Sequence, residues 1–267
     1  MSKRKVNKQS VRSTQSRRRR EETRKEKEQF RNRIIAGAAF ILLLAVVGFF
    51  ALQLRGTGSE VNDNTVGEVS PVPVTPEGTL LEGDRPLVAI EPADRNNYYD
   101  AYPDMVIDTD KSYQAVIHTV KGDMLLQLYD DESPLAVNNF VFLATQGFYD
   151  NVVFHRVLQG FMAQGGDPLG TGTGGPGYGF ANEVDNGLSF DKPHLLAMAH
   201  SSLPDSNGSQ FFITFVETPQ LNGGYTVFGE LLQGEDVLNS ITFIDPDNPA
   251  DDNRVGDTIE SIDIYES

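Results

Sequence analysis

Cysteine and tryptophan are both absent from the 267 residues. Without cysteine there is no disulfide, no thiolate metal ligand and no sulfur nucleophile. That absence suits an exported protein that dispenses with oxidative folding. The sequence also lacks G-x-x-x-x-G-K-[ST], H-E-x-x-H and G-x-S-x-G, the signatures of phosphate-binding loops, zinc proteases and serine hydrolases. The four histidines, His118, His155, His194 and His200, share no ligand-like spacing, which argues against zinc. GTGTGGPG (170–177) contains G-x-G-x-x-G twice, but Pro176, Gly177 and Gly179 follow, so no helix starts there. It reads as a glycine loop rather than a dinucleotide site.

Positive charge is scarce beyond the first 33 residues. That segment holds 14 of the 22 Lys+Arg and 4 of the 38 Asp+Glu, a local net charge of +10. The rest carries 8 basic and 34 acidic side chains, a net −26. An acidic body repels nucleic acid, whose affinity comes largely from cations neutralising phosphates. Next to the basic arm lies IIAGAAFILLLAVVGFFALQL, Ile34 to Leu54, an uncharged run in which only Gln53 is strongly polar. At about 1.5 Å per residue, 21 helical residues cover the hydrocarbon core of roughly 30 Å. A cleaved signal peptide has a shorter apolar region and a small-x-small site, for which Ala51-Leu52-Gln53 is a poor candidate. The run is read as an uncleaved transmembrane signal anchor. The excess of Lys/Arg before it, including Arg17 to Arg20, places the N-terminus in the cytoplasm and the acidic domain on the extracytoplasmic side of a cell membrane.

Residues 1–33 read as a basic arm, either disordered or a frayed helix. Residues 55–110, rich in Pro, Gly and acidic side chains, read as a linker. Within it the apolar island LVAI (87–90) is expected to pack on the domain that follows. From Lys111 to residue 267 the pattern is that of a compact domain. YQAVIHTV (113–120) and MLLQLY (124–129) read as strands joined by a tight turn at Lys121-Gly122-Asp123. A helix is expected with Ser133 as N-cap, Pro134 at its first position and Gly147 as its stop. Strand-like runs follow at 152–157, 161–164, 195–199, 211–215 and 225–231, with Asn-Gly turn markers at 186–187, 207–208 and 222–223. A short helix at 235–241 and a last strand at 259–265 complete the pattern. Many short strands with two helices predict a mainly β, closed antiparallel barrel. The acidic stretch with Asp245, Asp247, Asp251 and Asp252 reads as a solvated loop, since its prolines and spacing depart from an EF-hand.

FHRVLQGFMAQGGD (154–167) sets one cation, Arg156, among Phe154, Phe161 and Met162, with Gln164 nearby. A charge against an apolar surface is costly unless it is hydrogen-bonded or used. NGSQFFIT (207–214) adds a second Gln beside two phenylalanines. Together they describe an apolar pocket with one guanidinium and two amides at its rim. No general acid or base accompanies it.

The blocks FHRVLQGFMAQGGDPLGTGTGGPGYGF (154–180), LLAMAHSSLPDSNGSQFFIT (195–214) and LNGGYTVFGEL (221–231) resemble the cyclophilins in that order, and the likeness runs from about Lys111 to Tyr265. It implies an eight-stranded antiparallel barrel capped by two helices, and peptidyl-prolyl cis/trans isomerisation with no cofactor and no metal. By this resemblance Arg156 is the catalytic arginine and Gln164 orients it. Phe161, Met162, Phe212, Leu221 and Tyr225 belong to the proline pocket, Gln210 to the groove, and Ala199 and His200 to the pair whose backbone binds substrate. His200 stands where the family often has Asn, Tyr225 where many members have His, and Gln220 where many have Trp. The loop HSSLPDSNG (200–208) is one residue longer than the common form. The resemblance implies cyclosporin binding, weakened by Gln220, and a monomeric enzyme acting on proline-containing polypeptides. A non-catalytic proline-segment-binding chaperone or scaffold is the alternative, and a protease-coupled isomerase assay separates the two.

Overall fold

In a strand successive side chains point to opposite faces, and this alternation sorts the first hairpin. The computed structural model describes residues 73–267 apart from Pro204, Asp252 and Asn253. Strand β2 follows a two-residue edge strand, β1 (Thr79–Leu80), and spans Tyr113–Thr119; β3 spans Gly122–Leu128. Tyr113, Ala115 and Ile117 from β2, and Met124, Leu126 and Leu128 from β3, all enter the main core. Thr119 pairs with Gly122, so Val120 and Lys121 form a two-residue turn, and Gly122 takes φ 128° at its end.

The other strands are β4 (Val152–Val153), β5 (Arg156–Leu158), β6 (Met162–Gly165), β7 (Leu195–Met198), β8 (Phe211–Thr214), β9 (Val227–Gln233) and β10 (Thr258–Glu266). Every pairing is antiparallel, in the order β1-β10-β2-β3-β9-β7-β8-β6-β5, while β4 pairs with β10. The segment 152–158 therefore touches both ends of the strand order, β10 through β4 and β6 through β5. The sheet is curled, antiparallel and mainly β with two helices. Ten strand segments occur among the described residues where eight strands were expected. The run expected as one strand at 152–157 divides at Phe154-His155, and the short β1 is added. In β10 a register shift between Ile259 and Ser261 lets Ile259, Ile262 and Ile264 share one core despite their odd spacing.

Helix α1 (Pro134–Thr145) buries Ala136, Val137, Phe140, Val141, Leu143 and Ala144 in that core. Its Gly147 stop is realised as a Schellman motif: Gly147 has φ 73°, Phe148 N–H donates to Leu143 O (2.9 Å) and Gly147 N–H to Ala144 O (2.9 Å). Its start differs from expectation. Ser133 Oγ donates instead to Val227 O at 2.7 Å. The free N–H groups of Leu135 and Ala136 are met by the carboxylate of Glu183, at 3.0 and 2.9 Å. A carboxylate at a helix N-terminus satisfies orphan donors and faces the positive end of the dipole. Helix α2 (Glu235–Ser240) buries Val237 and Leu238.

The reading of 55–110 as linker needs correction for its described part. Leu87 is fully buried, as expected for the LVAI island, but so is Arg95. Its guanidinium donates to Ile90 O (2.9 and 2.6 Å), Gly147 O (3.1 Å), Phe148 O (3.0 Å) and Asp150 O (2.6 Å). Burial lowers the Arg95 pKa, opposed by Asp150 and Glu91. Arg85 bonds Asp150 (2.5 Å) and Asp263 (3.3 Å). Tyr102 Oη donates to Leu135 O (2.7 Å), and Asn138 Oδ1 accepts from Val106 N–H (2.6 Å). Prolines and acids marked this stretch as solvated, yet its cations are spent on core carbonyls. Asn207-Gly208 is likewise not a turn. Asn207 is fully buried, its carbonyl accepts from Phe180 N–H (3.0 Å) and its amide donates to Ala181 O (3.0 Å).

The basic arm and the apolar run at 34–54 lie outside the described residues. Among the described residues no helix is long and apolar enough to cross a membrane.

Candidate active site

Three neighbouring strands assemble the expected residues in one row. Arg156 on β5 pairs with Gln164 on β6, and Gln164 pairs with Phe212 on β8. Ala197 on β7 pairs with Phe212 in turn. Residues directly opposite across antiparallel strands project to the same face, so the guanidinium, the amide and the phenyl ring are fixed side by side by strand register.

Around this row a second apolar cluster forms, separate from the main core. Met162 and Phe212 are buried in it with Phe190 and Val227, and Phe161, Ala199, Leu221 and Tyr225 pack against it while partly exposed. Phe190 stacks on Phe212 at 6.1 Å and 9°, and Tyr225 meets Phe212 edge-on at 5.8 Å and 86°. Phe190 was missed by the sequence reading, for no motif residue borders it.

The Arg156 guanidinium lies partly buried at the edge of this cluster, with Nη1 3.9 Å from Met162 Sδ. Among the described residues it makes no salt bridge. Burial lowers its pKa from the ordinary arginine value, while the more distant Asp245, Asp247 and Tyr225 raise it. The expected orientation by Gln164 is corrected: no hydrogen bond joins that amide to the guanidinium. Gln164 Nε2 donates to Gln210 Oε1 (2.9 Å), and Gln210 Nε2 donates to Gly174 O (2.9 Å). Gln164 is thus locked to the groove, with Arg156 its cross-strand neighbour.

His200 brings more than the backbone expected of it. Its ring lies 4.5 Å from that of Tyr225, Nε2 is 2.6 Å from Gly224 O and Nδ1 is 2.6 Å from Ser201 O. It ties the 200–206 loop to the wall that carries Leu221 and Tyr225. Ala199 N–H donates to Gln210 O (2.9 Å), whereas the backbone N–H and C=O of His200 meet no hydrogen-bond partner among the described residues. Gln220 is exposed.

Beside the apolar cup lies a cavity of about 720 Å³, lined by Gln164, Gln210, Ala199, His200 and the glycine loop 172–179. Phe161, Met162, Phe212 and Leu221 do not line it, so the amides of Gln164 and Gln210 stand between two compartments. The loop is organised by Asp167, which is fully buried. Its carboxylate accepts from Leu169 N–H (2.8 Å), Thr171 N–H (2.9 Å), Gly172 N–H (2.5 Å) and Thr173 N–H (3.1 Å). His155 lies against this loop at Gly172, both ring nitrogens buried with no hydrogen-bond partner among the described residues. Burial lowers its pKa, more than Asp167 raises it.

A curled antiparallel sheet carrying an apolar cup with an arginine at its edge is the cyclophilin fold. A crystal structure of a cyclophilin-type isomerase from Cryptosporidium parvum superposes with a TM-score of 0.53 at 37% identity, covering 58% of this chain and 99% of that one. A structure of the same parasite protein in the presence of the dipeptide Ala-Pro gives 0.53 at 39% identity, with the same coverage. The family profile described as cyclophilin type peptidyl-prolyl cis-trans isomerase/CLD matches residues 114–264. The chain belongs to this family and is an enzyme of its reaction class. Among similar proteins, the probable peptidyl-prolyl cis-trans isomerase A of Mycobacterium bovis is 52% identical over 136 residues, 45% of this chain and 74% of its own length. Peptidyl-prolyl cis-trans isomerase B of Streptomyces anulatus is 45% identical over 166 residues, 55% of this chain and 94% of its own length.

Proposed function

We propose that the enzyme accelerates rotation about Xaa-Pro bonds in exported or membrane-proximal polypeptides, with Arg156 as the catalytic group. The barrier is the resonance of the amide, about 18–20 kcal/mol, and uncatalysed exchange takes tens to hundreds of seconds. No bond breaks, so the task is to fit the twisted amide better than either planar isomer. Phe161, Met162, Phe212 and Leu221 hold the proline ring as a pivot. The twisted amide loses conjugation, and its nitrogen gains a lone pair that a guanidinium N–H can meet. That hydrogen bond exists only in the twisted state, so it is selective for the transition state. The unpaired backbone of His200 holds the substrate chain, and Gln164 with Gln210 walls the cup beside Arg156.

The observation that carries this reading is the guanidinium of Arg156, which meets no carboxylate among the described residues at the edge of the Met162–Phe212 cup. A protease-coupled assay on a proline peptide tests it. Arg156→Ala lowers kcat/KM by about 10²-fold or more, with unchanged thermal unfolding. Near wild-type turnover would remove Arg156 from the mechanism.

The place of action rests on the sequence alone. The run at 34–54 anchors the chain by a single pass, residues 1–33 lie in the cytoplasm and the isomerase works on the opposite side. Protease added to intact cells digests the domain if this orientation holds; full protection overturns it.

A further inference from the structure

The family profile begins at residue 114, yet the segment before it reaches the substrate groove. Asn97 N–H donates to Gly175 O (2.9 Å), Asn96 Oδ1 accepts from Gly175 N–H (3.0 Å), and Tyr99 N–H donates to Pro176 O (2.9 Å). These three bonds hold the extension along the glycine loop. The contact is close: a Cβ on Gly177, at φ 111°, would stand 2.1 Å from Tyr99 O. On the loop's other side Gly174 O accepts from Gln210, whose Oε1 accepts from Gln164, the cross-strand partner of Arg156. A continuous path of hydrogen bonds runs from Asn96 through the loop to the amide beside the catalytic arginine. Asn97 itself lines the 720 Å³ cavity.

We propose that the extension forms one wall of the substrate groove, with Asn97 contacting a substrate residue beyond those adjacent to the proline and Asn96 acting as a positioning residue for the loop. The inference rests on the isomerase reading and deepens it by assigning a specificity role to residues outside the matched domain. The cavity is lined by the amides of Gln164 and Gln210 and by Asp205, and among the described residues no Lys or Arg lines it. It therefore suits an extended polypeptide with a hydrogen-bond-donating side chain, such as Lys, Arg, Asn or Gln, beyond the residues adjacent to the proline.

The test compares two substrates of the full-length chain: a minimal peptide with one residue on each side of proline, and an eight-residue peptide carrying Lys residues around the same proline. Asn97 has φ 56°, so glycine removes its side chain without straining the backbone. Asn97→Gly leaves kcat/KM on the minimal peptide within about twofold and lowers it on the long peptide about fivefold, through KM, the worth of one hydrogen bond. Asn96→Ala lowers kcat/KM on both peptides, and Asn96→Asp, which keeps the acceptor oxygen, restores it. If Asn97→Gly affects both peptides equally, or neither, the extension is not part of the groove while the isomerase reading stands. If the unmodified enzyme turns over neither peptide, the isomerase reading falls and this inference with it.

Discussion

Replacing Arg95 with methionine keeps most of the side-chain volume and removes every donor. Five hydrogen bonds to four carbonyl oxygens disappear: two to Ile90 and one each to Gly147, Phe148 and Asp150. Leaving a buried carbonyl unpaired costs about 1–3 kcal/mol. The carbonyl of Gly147 keeps a long contact from Asp150 N–H (3.4 Å), so its loss counts for less. Relief of the desolvation that burial imposes on the cation returns part of the cost. The net expectation is a loss of about 3–5 kcal/mol. For a domain of this size each kcal/mol is worth about 2–4 °C in Tm, so the midpoint drops by about 10 °C. Urea titration with paired calorimetry reads this directly. If the extension unfolds together with the sheet, the midpoint falls at constant slope; if it peels away first, the slope falls too. A loss under about 1 kcal/mol would refute the view that this guanidinium binds the extension to the domain.

Other expectations follow from the same geometry. Arg156→Lys keeps the charge but loses the planar fork, and kcat/KM on a proline peptide falls by about tenfold or more with little change in unfolding. Glu183→Ala frees two N–H groups at the start of α1 and costs about 1–2 kcal/mol in urea unfolding; an unchanged midpoint would show the cap to be idle. His155 has a folded-state pKa below its ordinary value of 6.5, so the unfolded chain takes up its proton first as pH falls. Its contribution to stability is present above pH 6.5 and is lost as pH drops towards the folded value, at no more than about 1.4 kcal/mol per pH unit. The urea midpoint of His155→Gln is accordingly less sensitive between pH 8 and 5.5 than that of the unmodified chain, and parallel curves would exclude His155 as the source.

Much of this was legible in residue order because strand alternation and helix punctuation are local. The first hairpin, α1 with its Gly147 stop, and the succession of strand-like runs along the chain follow from spacing of apolar residues and glycines, though not the break at Phe154-His155. The row Arg156–Gln164–Phe212 was legible only through resemblance, since cross-strand register depends on which strands meet. The long-range polar contacts were not legible. Glu183 caps a helix that begins 49 residues earlier in the chain, and Arg95 bonds carbonyls more than fifty residues away. Composition marked 55–110, and with it the described residues 73–110, as a linker because Pro, Gly and acidic side chains are dense there. It could not reveal that two arginines and an asparagine wrap that segment onto the sheet. Asn207-Gly208 misled in the same way, for a dipeptide favoured in turns also serves as a buried bridge to the backbone.

The single carboxylate of Asp167 bears on how the glycine-laden segment behaves. Five of the eight residues from 170 to 177 are glycine, yet four amide hydrogens from residues 169–173 gather on one acid and pin the start of the loop. At Gly174 and Gly177 glycine is present for the room it leaves, since a side chain there would collide with Asp167 and Tyr99. A client chain sliding past meets a stiff, nearly bare ledge, and so forfeits little entropy in freezing its host.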